Sequence, residues 1–126
     1  MKEKLKQLSH NAYAPYSSFL VASAVVMNDG STFYGVNIEN ASYGATICAE
    51  RNAINDAIKN GYKAGDFKEL YVYHEHNNTF PCFICRQTIN EFFNGNEKLI
   101  LMSDNNEQTH LVNEILTHPF GKEDLK

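Results

Sequence analysis

The chain has 126 residues, of which 43% are hydrophobic and 21% are charged, and its formal net charge is −4. This is the composition of a globular domain rather than of a disordered chain. The eleven basic residues are scattered along an acidic chain, so proteins that depend on contacts with a nucleic-acid backbone are disfavoured.

The length and the lack of any linker-like segment predict a single domain over residues 1–126. The longest apolar run, FLVASAVVM at 19–27, is too short to span a bilayer, and the N-terminal MKEKLKQLSH lacks the apolar core of a signal peptide. We therefore expect a cytoplasmic protein with no membrane partner. Three cysteines is an odd number, and in the cytoplasm they are expected to act as thiols or thiolates rather than as disulfides.

The first half of the chain predicts a helix, a hairpin and a second helix. A short helix at 2–10 places Leu5 and Leu8 on one face. Two strands follow at 19–27 and 32–38, joined by the Asp-Gly turn of MNDGS. After a loop rich in small residues, apolar positions recur at helical spacing from Cys48 to Lys59, and Asn-Gly ends this helix.

The second half alternates strands and helices. The predicted elements are a strand at 69–76, a helix at 82–93, a strand at 98–102 and a helix at 109–116. The last helix begins at Thr109 as a plausible cap. The resulting order, α-β-β-α-β-α-β-α, predicts a mixed sheet between helices, that is, an α/β fold of the three-layer α/β/α sandwich type.

All three cysteines lie at the start of a predicted helix, Cys48 in one and Cys82 and Cys85 in the other. The partial positive charge of a helix N-terminus favours thiolate over thiol. The C-x-x-C spacing lets two sulfurs hold one metal ion, and Cys48 would complete a set of three thiolate ligands. Structural zinc sites usually close with four protein ligands, so three cysteines indicate a zinc site with one position open for water.

Glu50 gives such a site a chemical role, because a carboxylate beside a metal-activated water can take its proton and pass it to a substrate. Arg51 and Arg86 are placed to donate hydrogen bonds to the cysteine sulfurs. Taken singly, these residues have plainer interpretations: a lone cysteine is usually core packing, and a lone C-x-x-C can be a redox pair. Pro81 directly before the C-x-x-C, together with Glu50, favours the zinc-deaminase signature over both.

Five segments resemble the cytidine deaminase family, in its small homotetrameric zinc-dependent form. They cover nearly the whole chain in the family's order: AYAPYSSF (12–19), GVNIENASYG (35–44), CAERNAI (48–54), PCFICRQ (81–87) and HPFGKEDL (118–125). The VNIEN segment extends the likeness beyond the zinc signature that all such deaminases share. The resemblance implies the cytidine-deaminase-like α/β/α fold.

The resemblance also implies a role for each matching position. Cys48, Cys82 and Cys85 match zinc ligands, with one Zn²⁺ per chain, and Glu50 matches the proton shuttle. Arg51 matches an arginine that hydrogen-bonds the zinc thiolates.

The remaining matching positions would bind substrate. Asn37 and Glu39 match residues that hold the ribose, Phe19 matches an aromatic that packs on the pyrimidine, and Ala49 lies in the same pocket. Three further positions would complete a neighbouring subunit's pocket, so the resemblance implies a homotetramer with shared active sites: Ala41, Tyr43 and Phe120.

Two segments depart from the family's pattern. Phe83 stands where the family usually has glycine, so its ring would crowd the pocket, and it would be strained if the glycine needs a positive φ. Ala22 and Ser23 stand in VASA, where the family commonly has Val-Gly-Ala-Ala. His74 and His76 form an H-x-H on a strand, which is either a metal pair or, as we expect, a solvent-facing strand end.

The function implied is hydrolytic deamination of cytidine and 2′-deoxycytidine to uridine and 2′-deoxyuridine with release of ammonia, a reaction of pyrimidine salvage. The substrate would be a small nucleoside. Two alternatives remain open: a related zinc deaminase of another aminopyrimidine nucleoside or drug, and a catalytically impaired zinc-binding homologue.

Overall fold

Five strands form one mixed sheet with helices on both faces in the computed structural model, which describes residues 1–126. The helices are α1 (Lys2–Ser9), α2 (Ala49–Lys59) and α3 (Phe83–Phe92). The strands are β1 (Val21–Met27), β2 (Thr32–Val36), β3 (Phe67–His74), β4 (Lys98–Met102) and β5 (Glu107–Leu111). The strand order is β2-β1-β3-β4-β5, in which β3 and β4 are parallel and joined through α3 while all other pairs are antiparallel.

Alternation along the strands divides the core into two layers. On one face, Ala22 and Ala24 of β1 pack with Leu5 of α1 in a cluster of 6 buried residues. On the other face, Val21 and Val25 belong to a cluster of 16 buried residues built around α2 and α3. The predicted three-layer α/β/α architecture is confirmed. None of the helices has the length and apolar character that crossing a membrane requires.

The hairpin prediction is also confirmed. β1 and β2 pair antiparallel, with Val26 opposite Thr32, and Gly30 supplies the positive φ, +90°, that the turn needs. The observed strands begin or end within two residues of the predicted ones in this region.

The predicted C-terminal helix at 109–116 is wrong. Residues Glu107–Leu111 form edge strand β5, in which Thr109 lies opposite Ile100 of β4. A single 3-10 turn at Val112–Ile115 follows and buries its first and last side chains. The observed order is therefore α-β-β-α-β-α-β-β. Strand β5 is mostly exposed and polar, so it lacks the hydrophobic alternation that signals a strand.

Gly35 lets the start of α2 lie directly on the sheet. A Cβ atom at Gly35 would be 2.4 Å from the carbonyl oxygen of Ala49 and 2.5 Å from the amide nitrogen of Ala53. The contact is reinforced by Asn52, whose Nδ2 donates to the carbonyl oxygen of Val36 over 2.8 Å. Close packing at Gly35 thus fixes the height of the α2 N-terminus above the sheet.

A Gly35→Ala substitution is expected to destabilise the protein strongly. The added methyl group meets rigid backbone on α2, so the helix must shift, and overpacking of this kind costs about 1–3 kcal/mol or more. Chemical denaturation measures the change. The matched control is Gly44→Ala, because a Cβ there meets no atom within 4 Å and the backbone is not left-handed. Equal stability of the two variants would contradict the packing argument.

Candidate zinc and substrate site

Two helix N-termini converge and bring the three cysteines together. Cys48 and Cys82 are the N-cap residues of α2 and α3, both in extended conformation, and Cys85 lies in the first turn of α3. The three sulfur atoms lie within 4.8 Å of one another. The Cys48 and Cys82 sulfurs are 3.7 Å apart. The predicted grouping of a C-x-x-C pair with a third, distant cysteine is therefore present in the fold.

The charge state of the cluster is biased toward thiolate at Cys48. A hydrogen bond from Cys85, aided by Arg51 and opposed by burial, lowers the pKa of Cys48 to about 5. The same bond, together with burial, raises the pKa of Cys85. Arg51 Nη2 lies 3.6 Å from the Cys48 sulfur and 3.5 Å from the carbonyl oxygen of Thr46. The surroundings thus stabilise Cys48 in the charged form that binds a metal.

The residues present fit a zinc ion. Three sulfur donors at this spacing form a soft donor set of the kind that zinc prefers, and the three are graded from exposed Cys82 through half-buried Cys48 to buried Cys85. The Nε atom of Arg51 is buried beside them without a hydrogen-bond partner. Cys48, Cys82 and Cys85 would hold the ion, and the exposed side leaves room for a further ligand.

Glu50 lies in the first turn of α2, two residues beyond Cys48, with only 4% of its surface exposed. Desolvation by burial raises the pKa of its carboxyl to about 7, and the neighbouring Cys48 thiolate adds to the effect. The raised value suits a group that must both accept and release a proton near neutral pH. Its position on the helix that carries Cys48 fixes the spacing between the metal donors and the carboxyl.

A cavity of about 340 Å³ opens onto this cluster. That volume is within the range of small-molecule sites, roughly 300–1,000 Å³. It is lined by polar and apolar residues from both halves of the chain: Ser17, Phe19, Val21, Asn37, Glu39, Thr46, Cys48, Ala49, Glu50, Thr79, Phe80 and Cys82. The structure therefore brings Phe19, Asn37, Glu39 and Ala49 into one cavity with the cysteines and Glu50.

Glu39 and Asn37 contribute a carboxylate and an amide to the cavity lining. The Glu39 carboxylate accepts hydrogen bonds from the amides of Tyr16 and Ser17 and from the Ser17 hydroxyl. Asn37 Nδ2 donates to the carbonyl oxygen of Phe19 over 2.7 Å, and its Oδ1 accepts from the amide of Val21 over 2.9 Å. These bonds fix both side chains at the end of β2 beside the Phe19 loop.

Three of the predicted substrate-binding positions lie outside this cavity within one chain. Ala41 and Tyr43 are in the exposed loop after β2, and the Tyr43 side chain is 75% exposed. Phe120 lines a separate groove together with Phe83 and Arg86. The chain by itself does not bring these three residues to the cysteines, and their assignment to a neighbouring subunit stays a prediction.

The predicted role of Arg86 is not what the structure shows. Its Nε donates to the carbonyl oxygen of Pro81 over 2.8 Å, and its Nη1 lies 3.4 Å from the carbonyl oxygen of Ile115. The guanidinium also stacks on the Phe83 ring at 4.5 Å. Arg86 therefore ties the start of α3 to the C-terminal turn rather than donating to a cysteine sulfur.

The two departures from the family's pattern are accommodated without strain. Phe83 begins α3 with an ordinary negative φ, and its ring is 81% exposed and does not line the cavity. The expected crowding is therefore absent. Ala22 and Ser23 are fully buried in β1, and the Ser23 hydroxyl donates to the carbonyl oxygen of Tyr71.

Sequence reasoning missed several cavity residues. Thr79 and Phe80 line the cavity from the loop before Pro81, and Phe80 packs on the ring of His110 with centroids 5.0 Å apart. The signal available was their position next to a metal-binding motif. His74, expected at a solvent-facing strand end, is instead 8% exposed and stacks on Phe19.

Comparisons with known proteins agree on one family. The sequence profile described as "Cytidine and deoxycytidylate deaminase zinc-binding region" matches residues 1–102. A cytidine deaminase of Mycoplasma genitalium is 35% identical over 121 residues, which cover 95% of this chain and 92% of the relative. One from Sporosarcina psychrophila is 40% identical over 124 residues, covering 95% and 88%.

A solved structure gives the same answer. The 1.6 Å crystal structure of cytidine deaminase from Burkholderia pseudomallei superimposes with a TM-score of 0.89 and 38% sequence identity, covering 94% of this chain and 95% of the other. Together with the zinc-type cysteine cluster and the buried glutamate, these likenesses show that the chain belongs to the cytidine and deoxycytidylate deaminase family.

Proposed function

We propose that the protein catalyses zinc-dependent hydrolytic deamination of cytidine and 2′-deoxycytidine, giving uridine or 2′-deoxyuridine and ammonia. The observation that carries the proposal is the position of Glu50. Its buried carboxyl, with a pKa raised to about 7 by desolvation, lines a cavity together with Cys48 and Cys82 of the three-cysteine cluster. The same cavity presents the amide of Asn37 and the carboxylate of Glu39, which are suited to sugar hydroxyls.

Cys48, Cys82 and Cys85 would hold the metal, and the ion when bound would supply Lewis-acid chemistry that makes a water molecule a nucleophile at neutral pH. Glu50 then moves the protons. Its carboxylate accepts one proton from the attacking water and delivers it to N3 of the pyrimidine as the C4–O bond forms. It then takes the second proton from the new C4 hydroxyl and passes it to the amine nitrogen, so the C4–N bond breaks, ammonia leaves and the C4 carbonyl forms. Burial keeps bulk water away from this carboxyl, so the proton stays with the substrate.

The rest of the cavity binds and orients the nucleoside. Glu39 and Asn37 offer oxygen and nitrogen atoms to the ribose hydroxyls, while Phe19 presents a flat apolar face to the pyrimidine. Ala49, fully buried at the start of α2, leaves space for the base beside Glu50. Arg51 stabilises the Cys48 thiolate from outside the cavity.

An unphosphorylated nucleoside is favoured over a nucleotide or a nucleic acid. No lysine or arginine lines the cavity, and the Glu39 carboxylate there would repel a phosphate group. The chain as a whole carries a net charge of −4. A site of this charge suits a neutral ligand.

The test compares cytidine, 2′-deoxycytidine, cytidine monophosphate and single-stranded DNA at equal concentration, with ammonia release as the readout. We expect turnover of the two nucleosides. For the phosphorylated substrates we expect kcat/KM to be at least about 100-fold lower, because their phosphate charge would have no cationic partner in the cavity. Preference for the monophosphate or the DNA would contradict the proposal. One bound zinc per chain without turnover of any cytosine nucleoside would favour a catalytically impaired homologue.

We further propose a cytoplasmic homotetramer with shared active sites that acts in pyrimidine salvage. Large apolar side chains that one chain leaves exposed support an assembly: Tyr43 is 75% exposed, Phe83 81% and Phe120 56%. A partner's Phe120 would close the cavity of its neighbour. Surfaces of this kind are usually covered in an oligomer.

A Phe120→Ala variant tests the shared site. We expect its KM for cytidine to rise about 10-fold, because the pocket loses an aromatic side chain that contacts the substrate. Light scattering measures whether the variant still forms a tetramer. Leu125→Ala is the matched control, since Leu125 is an exposed apolar residue of the same C-terminal segment at 78% exposure. A monomeric protein with full activity would contradict the shared-site proposal.

A further inference from the structure

His74 is a buried imidazole that the proposed chemistry does not use. It ends strand β3, is 8% exposed, and does not line the substrate cavity. Its ring stacks on Phe19, which does line the cavity, with centroids 4.1 Å apart and an interplanar angle of 17°. One face of the Phe19 ring is therefore covered by His74, and the ring faces the cavity elsewhere.

The backbone of Phe19 is fixed by hydrogen bonds, and its ring has one aromatic neighbour, His74. The Phe19 amide donates to the Ser17 hydroxyl over 3.0 Å, and its carbonyl oxygen accepts from Asn37 Nδ2 over 2.7 Å. Ser18, directly before it, has a left-handed backbone with φ of 60°. The Phe19 side chain remains 37% exposed, so without a packing partner its ring would sample other rotamers.

The imidazole itself is fixed by the backbone that follows it. Nδ1 of His74 accepts hydrogen bonds from the amides of His76 and Asn77, both over 3.2 Å. An accepting Nδ1 defines the neutral tautomer with the proton on Nε2. Burial, and secondarily His76, lowers the pKa of His74, which favours the same neutral form. The turn so fixed leads into the loop that brings Thr79 and Phe80 to the cavity.

We propose that His74 is a positioning residue for the pyrimidine: it holds the Phe19 ring in the cavity lining and anchors the turn that leads to Thr79 and Phe80 of the same lining. The proposal rests on the proposed function, because the ligand it positions is the base of that substrate. The two tasks use different parts of the side chain, the ring face for Phe19 and Nδ1 for the turn.

Two substitutions separate these tasks. His74→Asn keeps an acceptor oxygen for the two amides but removes the stacked ring. His74→Phe keeps a stacked ring but removes the acceptor, which leaves two amides without a partner. His76→Ala is the matched control, because that side chain is 74% exposed and belongs to the same segment.

We expect His74→Asn to raise KM for cytidine about 3- to 10-fold, because the variant loses the stacking of one aromatic pair. Its kcat should stay within about 2-fold of wild type. The dissociation constant for uridine, measured by calorimetry, rises by the same factor. His74→Phe keeps KM near that of wild type but lowers the melting temperature. His76→Ala changes neither quantity. Zinc content stays at one per chain throughout.

Equal uridine affinity in His74→Asn and wild type would overturn the inference, as would a His74→Phe variant that binds as poorly as His74→Asn. Absence of cytidine turnover in the wild-type protein would instead reject the proposed function. Uridine binding does not require turnover, so the two failures are distinguishable.

Discussion

A Glu50→Gln variant loses cytidine deamination, with kcat falling by at least about 10³-fold, while one zinc per chain stays bound. Glutamine has the shape of glutamate but cannot carry a proton between water, N3 and the departing amine, and general acid–base catalysis of this kind contributes about 10²–10⁴-fold per step. The metal stays because Glu50 is not among the three clustered sulfur donors. Absorbance of cytidine and metal analysis give the two readouts.

Glu97→Gln is the matched control, because Glu97 is also a buried carboxylate, 7% exposed, but lies outside the cavity. It accepts hydrogen bonds from the amides of Asn94 and Gly95 before β4. Its substitution is expected to lower stability and to leave kcat within about 2-fold. A Glu50→Gln enzyme with more than about a tenth of the wild-type rate would remove Glu50 from the proposed mechanism.

Glu50→Gln is also expected to change the pH dependence of the stability of the metal-free protein. Desolvation raises the pKa of Glu50 from 4.5 to about 7, so the folded protein holds this proton more tightly than the unfolded chain. Its contribution to stability is fully present below pH 4.5 and is lost as pH rises through about 7. With chelator present, Glu50→Gln should therefore gain roughly 2–3 kcal/mol over wild type as the pH rises from about 4.5 to about 8. Urea denaturation at the two pH values measures this gain, and a difference that does not change with pH would contradict it.

The sequence predicted the zinc cluster because its signals are local. Cys48 and Cys82 precede apolar residues at helical spacing, and Pro81 marks the entry to the second helix, so each cysteine could be placed at a helix start. In the α/β/α architecture, α2 and α3 pack on the same face of the sheet, and their N-termini therefore lie close together. Gly35 completes this arrangement through a contact that spacing alone does not reveal.

The failures involve contacts that the periodicity of a single helix or strand does not report. Strand β5 exists because the β4 edge accepts a partner, and its polar residues carry no periodic signal. The Arg86 guanidinium donates hydrogen bonds to the carbonyl oxygens of Pro81 and of Ile115, which is 29 positions away. It was expected to donate to a cysteine sulfur. His74 is buried against Phe19, which belongs to a loop much earlier in the chain. Helical and strand periodicity describes neighbours along the chain, so it could not predict any of these pairings.

Replacing Cys82 by serine is expected to remove zinc and activity together. A serine hydroxyl stays protonated at neutral pH and is a poor zinc ligand, so the three-sulfur set becomes a two-sulfur set. Zinc should fall from one per chain to below about 0.1 after dialysis, and cytidine turnover should fall with it. Inductively coupled plasma analysis and the absorbance assay measure the two.

Cys82 and Cys85 differ in burial, so substitutions of the two are expected to affect the stability of the metal-free protein differently. Cys82 is exposed, so in the presence of chelator Cys82→Ser and wild type should melt at the same temperature, and the wild-type protein alone should gain stability when zinc is restored. Cys85 is 0% exposed, so Cys85→Ala should lower the stability of the chelated protein as well, by about 1 kcal/mol for the small cavity created. A Cys82→Ser protein that keeps stoichiometric zinc would exclude Cys82 as a ligand and with it the three-cysteine site. A chelated Cys82→Ser protein that melts well below chelated wild type would instead show that Cys82 contributes to packing, contrary to what its exposure predicts.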